Sequence, residues 1–405
     1  MAISRGVRFL DRTTPAHIAT LVALTSVASM NMNVFLPSLP GMAAYFDAPY
    51  WVLQLSVSAY LFGSAVLQVI AGPLSDKFGR RPVILWGFAI FFLASVGCAL
   101  AKSVEVFLTF RMIQATVVVG MAISRASIRD TVSATQAASL IGYVTMGMSL
   151  APMLAPALGG VLDETFGWQA VFLLLAVLGF LVFVLSWFDL GETAPKSDNS
   201  VFQQFREYPT LFKSPRFWAH SLTLAFTSGS YFAYLGGGPY VGATIYGMSP
   251  TVLGFAFAAP AIGYALGNGL AGRFSVRVGI SRMINWGILT VLGGLGLVIV
   301  LFYLGLQSAW LFFSAMIFVG LGNGMTIPNA TSAMLSVRPQ MAGAASGLGG
   351  AIMIGGGASL SAYAGTILSE TSGAMPLLWL MFSSSVVSGL FALYAQIRAR
   401  WLGEG

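Results

Sequence analysis

Apolar stretches about 20 residues long alternate with short polar segments along almost the whole sequence. A stretch of this length can cross a bilayer as an α-helix, in which the backbone polar groups bond to one another. The stretches cover residues 16–39, 51–71, 83–101, 104–124, 136–160, 167–188, 217–241, 251–272, 283–304, 308–331, 342–366 and 374–397. We therefore predict an all-α membrane protein with twelve transmembrane helices.

One polar interruption is much longer than the others. It covers residues 191–216, GETAPKSDNSVFQQFREYPTLFKSPR, and leaves six apolar stretches on each side. The pattern predicts an amino-terminal six-helix bundle (1–190), a cytoplasmic linker (191–216) and a carboxy-terminal six-helix bundle (217–405).

A weak internal repeat relates the two predicted bundles. GPLSDKFGRR, after the second stretch, aligns with GRFSVRVGIS, 200 positions later and after the eighth stretch. The alignment matches Gly72 with Gly272, Ser75 with Ser275, Lys77 with Arg277 and Gly79 with Gly279. Parallel six-helix repeats with a pathway between them are typical of transporters. Because Val276 replaces Asp76, we do not expect the two halves to be functionally equal.

The composition excludes several classes of protein. Hydrophobic residues make up 57% of the chain and charged residues 8%, and the mean hydropathy is +0.82, so the surroundings must be lipid. Cys98 has no partner cysteine, which excludes a disulfide framework and a cysteine metal site. The sequence has no histidine, cysteine or carboxylate cluster and no phosphate-binding loop. We therefore expect no catalytic residue, metal or cofactor, and an integral membrane enzyme is disfavoured. A channel is disfavoured as well, because no repeated filter-like element stands out in the sequence.

Basic residues predict the orientation in the membrane. Eighteen of the twenty lysines and arginines fall on one side of the predicted helices, whereas Lys102 lies on the other side and Arg111 within a stretch. By the positive-inside rule the basic side is cytoplasmic, and both termini lie there. The net charge of +7 then follows from topology, and we expect no nucleic-acid partner.

Charge also gathers in GPLSDKFGRRP, residues 72–82, which we read as the loop after the second helix. Asp76 can face the positive amino-terminal end of the eleventh helix, which starts near Pro339, and Arg80 can reach Asp130. Such contacts would hold the two halves together on the cytoplasmic side in an outward-facing state. The predicted latch comprises Gly72, Asp76, Gly79, Arg80, Arg81 and Asp130.

Two helices carry unusual residues for a membrane interior. In FRMIQA of the fourth helix, Arg111 and Gln114 share one face, and a buried arginine is costly unless it serves a function. The fifth helix contains GMSLAPMLAPALGG, whose prolines and glycines permit kinks and close packing. We predict a hinge at Gly147, Pro152, Pro156, Gly159 and Gly160.

These motifs resemble those of a known family. GPLSDKFGRRP resembles the signature loop of the major facilitator superfamily, and Arg111 with Gln114 resembles its second motif, in which Ala115 stands where a glycine is usual. ASIRD, residues 126–130, and the fifth helix resemble the drug:proton antiporters of the bicyclomycin and chloramphenicol resistance (Bcr/CflA) type.

The resemblance implies a fold and an activity. It implies two bundles that alternate access to a central pocket, in the inner membrane of a bacterium. It further implies export of chloramphenicol-, bicyclomycin- or sulfonamide-like drugs, driven by the proton motive force without a cofactor. Arg111 and Gln114 would take part in proton coupling. We expect a monomer whose partners are drugs, protons and membrane lipid. A metabolite exporter or an uptake carrier on the same fold is the alternative.

The pocket for such compounds should combine aromatic, methionine and small polar residues. The candidates are Asn33, Gln114, Met146, Met148, Tyr231, Tyr234, Phe257 and Asn323. Asn33 stands where many relatives have an aspartate, and all thirteen acids lie in loops, tails or helix ends. Proton coupling would therefore use Asp76, Asp130 or a substrate proton, with Arg111 as electrostatic partner.

Overall fold

The computed structural model describes residues 7–131, 144, 151, 154–193, 211–338 and 341–401. Within these ranges the secondary structure is helical, and none of the described residues lies in a strand. The prediction of an all-α protein is confirmed.

Seven helices with assigned bounds precede residue 190 in the described part of the chain. They are α1 (Ile18–Asn33), the short α2 (Leu39–Tyr45), α3 (Tyr50–Phe78), α4 (Arg80–Ala99), α5 (Val104–Ile113), α6 (Val118–Thr131) and α7 (Trp168–Asp189). Short 3-10 turns join α1 to α2 and α5 to α6. Residues 154–166 are also helical and precede α7.

Seven more helices follow residue 214. They are α8 (Pro215–Tyr240), the short α9 (Pro250–Ala256), α10 (Ala258–Val278), α11 (Ile280–Tyr303), α12 (Ala309–Ser336), α13 (Ala342–Ile367) and α14 (Met375–Trp401).

By length and composition, nine helical stretches of the described residues could cross a membrane. Helices α8 and α13 have 26 residues each, which is also long enough to cross a membrane, and both are rich in glycine and serine. The fifth predicted helix, 136–160, lies mostly outside the described residues.

The end of α3 corrects the expectation of a loop at residues 72–82. The helix continues through Phe78, and the chain reverses at a single residue, Gly79, with φ 97° and ψ 153°. Gly279 reverses the chain between α10 and α11 in the same way, with φ 94° and ψ 147°. Side chains rarely adopt this backbone conformation, which explains the glycine at both positions. The sequence repeat is therefore also a repeat of backbone geometry.

The helices pack in two groups. In the first group α4 packs on α7, and α1 packs on α6 and α7; in the second, α12 packs on α10 and α11, and α8 packs on α13 and α14. The groups meet mainly where α3 lies against α13. We call the end with Gly79, Gly279 and the last turns of α7 and α14 the basic end. The opposite end, where α3 and α9 begin, is the far end.

Candidate functional site

Arg111, in the last turn of α5, is completely buried and bonded to neutral acceptors only. Its Nε donates to the Ser56 carbonyl at 3.1 Å, and its Nη1 donates to Asn31 Oδ1 and Gln114 Oε1, both at 2.8 Å. Nη2 donates to the Asn31 carbonyl at 3.0 Å. Most of the donors of the guanidinium are therefore satisfied.

Two aromatic rings flank the same guanidinium. The ring centroids of Phe35 and Tyr60 each lie 4.2 Å from the Arg111 Cζ. Ring faces attract a cation, and the attraction grows when water is excluded. Among the described residues no carboxylate forms an ion pair with Arg111. The positive charge is stabilised by dipoles and rings, so the centre of this helix group stays electropositive.

The network around Arg111 joins four helices. Gln114 Nε2 donates to Ser95 Oγ at 2.8 Å, and Ser95 Oγ donates to the Phe91 carbonyl at 2.7 Å. Asn31 Nδ2 donates to the Tyr60 hydroxyl at 3.0 Å. Arg111 and Gln114, which sequence analysis placed on one face, thus touch directly and link α5 to α1, α3 and α4.

Three of the predicted pocket residues form an aromatic cluster in the second helix group. The Tyr234 ring lies 4.8 Å from Phe257 and 6.4 Å from Tyr231, measured between centroids. Phe312 and Phe313 complete the cluster. Met146 and Met148 lie outside the described residues.

Three predicted pocket residues carry buried oxygens that find no hydrogen-bond partner in the described part of the chain. They are Asn33 Oδ1, Tyr234 Oη and Asn323 Oδ1. Buried polar atoms are nearly always bonded, so each of these oxygens is a candidate for contact with water or a ligand.

At the basic end the charged motif is bonded within the first helix group. Asp76 Oδ1 lies 2.7 Å from Arg80 Nη2, and Arg80 also donates to Ser75 Oγ. Arg81 stacks on Trp187 with its Cζ 5.2 Å from the ring centroid. The Asp130 side chain lies outside the described residues, and α13 begins at Ala342. The latch, which was predicted for an outward-facing state, stays a prediction.

The far end joins the two helix groups by side-chain hydrogen bonds. Gln54 Nε2, on α3, donates to the carbonyl and to the Oγ of Ser361 on α13, the latter at 2.9 Å. The Tyr50 hydroxyl donates to the Gly236 carbonyl at 2.8 Å, and its ring lies 5.0 Å from Tyr240. These contacts connect α3 of the first group to α8 and α13 of the second.

A second contact at the far end involves residues of the predicted hinge. A Cβ on Gly160 would overlap the Pro250 carbonyl oxygen, and one on Gly159 would overlap the carbonyl of Val34. A Cβ on Gly254 would likewise overlap the carbonyl oxygen of Pro156. These hinge residues thus lie at backbone-to-backbone contacts, whereas Gly147 and Pro152 lie outside the described residues.

Glu164 adds a polar contact beside these glycines. Its Oε2 accepts a hydrogen bond of 3.1 Å from the Thr251 amide at the start of α9. Bonds from Thr251 lower the pKa of the Glu164 carboxyl below its usual value, so the carboxylate is ionised near neutral pH.

Several of these residues could not be identified from the sequence alone. Asn31 and Gln54 stand out only as polar residues in apolar runs, and neither pattern identifies a partner. Glu192 falls in the predicted linker 191–216, and nothing in the sequence distinguishes Asp189 at the end of the preceding apolar stretch. Asp189 is buried and accepts bonds from the Leu10 and His17 amides at 2.7 Å and 2.9 Å.

Comparisons with known proteins agree with the motifs. The family model of the Major Facilitator Superfamily matches residues 21–362. The multidrug resistance protein D of Escherichia coli is 31% identical over 348 residues, which cover 84% of this chain and 87% of the relative. The bicyclomycin resistance protein homolog of Haemophilus influenzae is 28% identical over 386 residues, which cover 94% of this chain and 96% of the relative.

The fold is similar to solved transporter structures. The structure of a bacterial homolog of the human lysosomal transporter Spinster, in an inward-facing and unoccupied conformation, matches with a TM-score of 0.72 and 17% identity. The match covers 95% of this chain and 96% of the other. Because the family model matches most of the chain and the helices are long and apolar, the chain belongs to the major facilitator superfamily, whose members are membrane transporters and not enzymes.

Proposed function

We propose that this protein exports small apolar or amphiphilic drugs through alternating access, as a drug/proton antiporter. The observation that carries the proposal is Arg111, a buried cation held by neutral acceptors and rings beside polar side chains. The names of the relatives, among them a multidrug resistance protein and a bicyclomycin resistance protein homolog, support the drug as substrate.

The charge of the site supports a substrate without positive charge. No acid of the sequence falls in the middle of a predicted helix, and Asn33 occupies a position where an acid would attract a cation. A lipophilic cation would meet the field of Arg111 with no carboxylate to offset it. Neutral chloramphenicol-, bicyclomycin- or sulfonamide-like molecules fit this site better.

The orientation, boundaries and oligomeric state form part of the proposal. The basic end faces the cytoplasm, so the closed far end faces the outside and this conformation is inward-facing. Residues 1–190 and 217–405 move as two bundles about the linker 191–216, and the protein works as a monomer in the bacterial inner membrane.

A susceptibility profile in a host that lacks its own efflux pumps tests the function. We expect cells that express the protein to accumulate less chloramphenicol, and a protonophore to abolish the difference. Tetraphenylphosphonium, a lipophilic cation, should accumulate equally with and without the protein. Export of the cation but not of chloramphenicol would contradict the proposed substrate class, and drug export that persists with the protonophore would contradict proton coupling.

The alternative is a metabolite exporter or an uptake carrier with the same fold. In that case expression leaves accumulation of all tested drugs unchanged or increases it. The same assay therefore separates the two functions.

Asp76→Asn tests the proposed latch. In the outward-facing state the Asp76 carboxylate is proposed to contact the start of α13, and asparagine keeps the shape but removes the charge. We expect normal membrane insertion and a loss of drug export of at least tenfold. Lys77→Gln, at an exposed neighbouring position, is the matched control and should retain export. Wild-type export by Asp76→Asn at equal protein level would remove the latch role.

A further inference from the structure

The helix that precedes α7 packs along α9, which belongs to the second half of the chain. Residues four positions apart share one face of this helix, namely Pro156, Gly160 and Glu164. Gly160 lies against the Pro250 carbonyl at the start of α9, and Pro156 lies against Gly254 near its end. The two helices therefore run antiparallel, and Glu164, one turn beyond Gly160, reaches the first turn of α9.

One backbone donor in this first turn finds its acceptor in the other half of the protein. A helix start leaves its first amides without partners inside the helix. In α9, Pro250 carries no amide hydrogen, and the Val252 amide donates to Ser249 Oγ at 3.5 Å. The Thr251 amide between them donates to Glu164 Oε2 at 3.1 Å. This amide is therefore satisfied by protein only while the two halves are in contact.

The negative charge of Glu164 favours the contact. Bonds from the Thr251 hydroxyl and amide and from the Ser249 hydroxyl hold the pKa of the Glu164 carboxyl below its usual value. None of the described basic residues forms an ion pair with Glu164. The carboxylate thus meets neutral donors at a helix start, where the free amide carries partial positive charge.

Opening of the far end has to separate α9 from the first half. Helix α9 also contacts the 3-10 turn Leu36–Ser38, which follows α1. Helices α9 and α10 form a stretch interrupted only at Phe257, and together they are long enough to cross the membrane. A movement that draws this stretch away from the helix before α7 breaks the bond between Glu164 and Thr251.

We propose that Glu164 is a latch of the far end, whose carboxylate binds the start of α9 while this end is closed and releases it when the end opens. This role rests on the alternating access and the orientation proposed for the protein. It is the counterpart of the latch predicted for Asp76, in which a carboxylate of the first half meets the start of α13 at the basic end. In each exchange between the two conformations, one carboxylate contact replaces the other.

The accessibility of a buried cysteine tests the latch. Ser58, on α3, is 5% exposed, so Ser58→Cys reports opening of the far end. In this background Glu164→Ala should increase the rate of labelling by a membrane-impermeant thiol reagent from outside by about threefold or more. Glu105→Ala, which removes an exposed acid from the first turn of α5, is the matched control and should label as the background does. The protein without Ser58→Cys gives the contribution of the buried Cys98.

Inside-out vesicles separate the latch from the orientation and from drug export. Labelling requires no drug, so a protein that exports none of the tested compounds still gives the expected increase. An increase found only in inside-out vesicles would support the latch and contradict the orientation. An unchanged rate for Glu164→Ala from both sides of the membrane, at equal protein level, would overturn the latch.

A series of charges at position 164 separates a latch from simple packing. Glu164→Gln keeps the length of the side chain and an oxygen acceptor but loses the charge. Glu164→Lys brings a cation to the partial positive charge at the start of α9. The labelling rate should rise from the wild-type residue to glutamine and again to lysine. Equal rates for glutamate, glutamine and lysine at this position would show that the charge holds nothing closed, which also overturns the latch.

Discussion

Replacing Arg111 with alanine is expected to abolish drug export. The substitution removes the only charge held inside the described helix network and leaves four hydrogen-bond acceptors, on Asn31, Ser56 and Gln114, without their donor. Each buried group left unsatisfied costs about 1–3 kcal/mol, so the packing of α1, α3 and α5 changes as well. Export should fall to the level of cells without the protein, measured as chloramphenicol accumulation at equal membrane level.

Two variants separate the role of the charge from that of the fold. Arg111→Lys keeps a cation but provides fewer donors and no planar group to stack between Phe35 and Tyr60, so it should retain partial export. Lys102→Ala removes an exposed cation from a far-end loop and should export as the wild type does. If Arg111→Ala exports normally, the buried arginine has no part in transport, whatever its effect on the melting temperature.

Replacing Gly160 with leucine is expected to prevent closure of the far end and to stop transport. The side chain would occupy the space of the Pro250 carbonyl and of Thr251, and backbone cannot move aside as a flexible side chain can. The two helix groups would have to separate at this end. The reporter is Ser58→Cys, a buried position one turn after Gln54 on α3 that leaves the Gln54 bonds in place. In this background, labelling by a membrane-impermeant thiol reagent from outside should increase at least fivefold, while export falls to background.

A glycine at the same end provides the matched control. No atom lies within 4 Å of a Cβ placed on Gly41, so Gly41→Leu in the same background should leave labelling and export unchanged. Normal export together with unchanged labelling in Gly160→Leu would show that this contact does not limit the closed state. The same pair of measurements on Gly160→Ala should give an intermediate result.

The transmembrane helices were predictable because lipid imposes a simple length and polarity on each of them. The error at residues 72–78 arose because charged residues near a membrane surface resemble a loop. The helix in fact continues, and Asp76 and Arg80 pair four residues apart across Gly79. A local charge pattern is thus compatible with either a loop or the end of a helix.

The candidate site was predictable only in part. Arg111 and Gln114 are conspicuous in an apolar run, but their partner Asn31 is 80 positions away from Arg111, and its contact depends on how α1 packs. Glu192 could not be distinguished from the rest of a polar segment, because the amides that donate to its carboxylate, those of Arg80 and Arg81, lie at the start of α4. Pairing across helices is a property of tertiary packing, and spacing along the chain carries little information about it.

The hydrogen bonds at the far end determine how easily the conformation can be reversed. Gln54 and Tyr50 donate three bonds between the helix groups, and at about 0.5–1.5 kcal/mol each they contribute about 1.5–4.5 kcal/mol. Such a difference shifts a two-state equilibrium by about one to three powers of ten. A ligand that prefers the other conformation by a similar free energy would make the two populations comparable, so binding alone could drive the exchange between them.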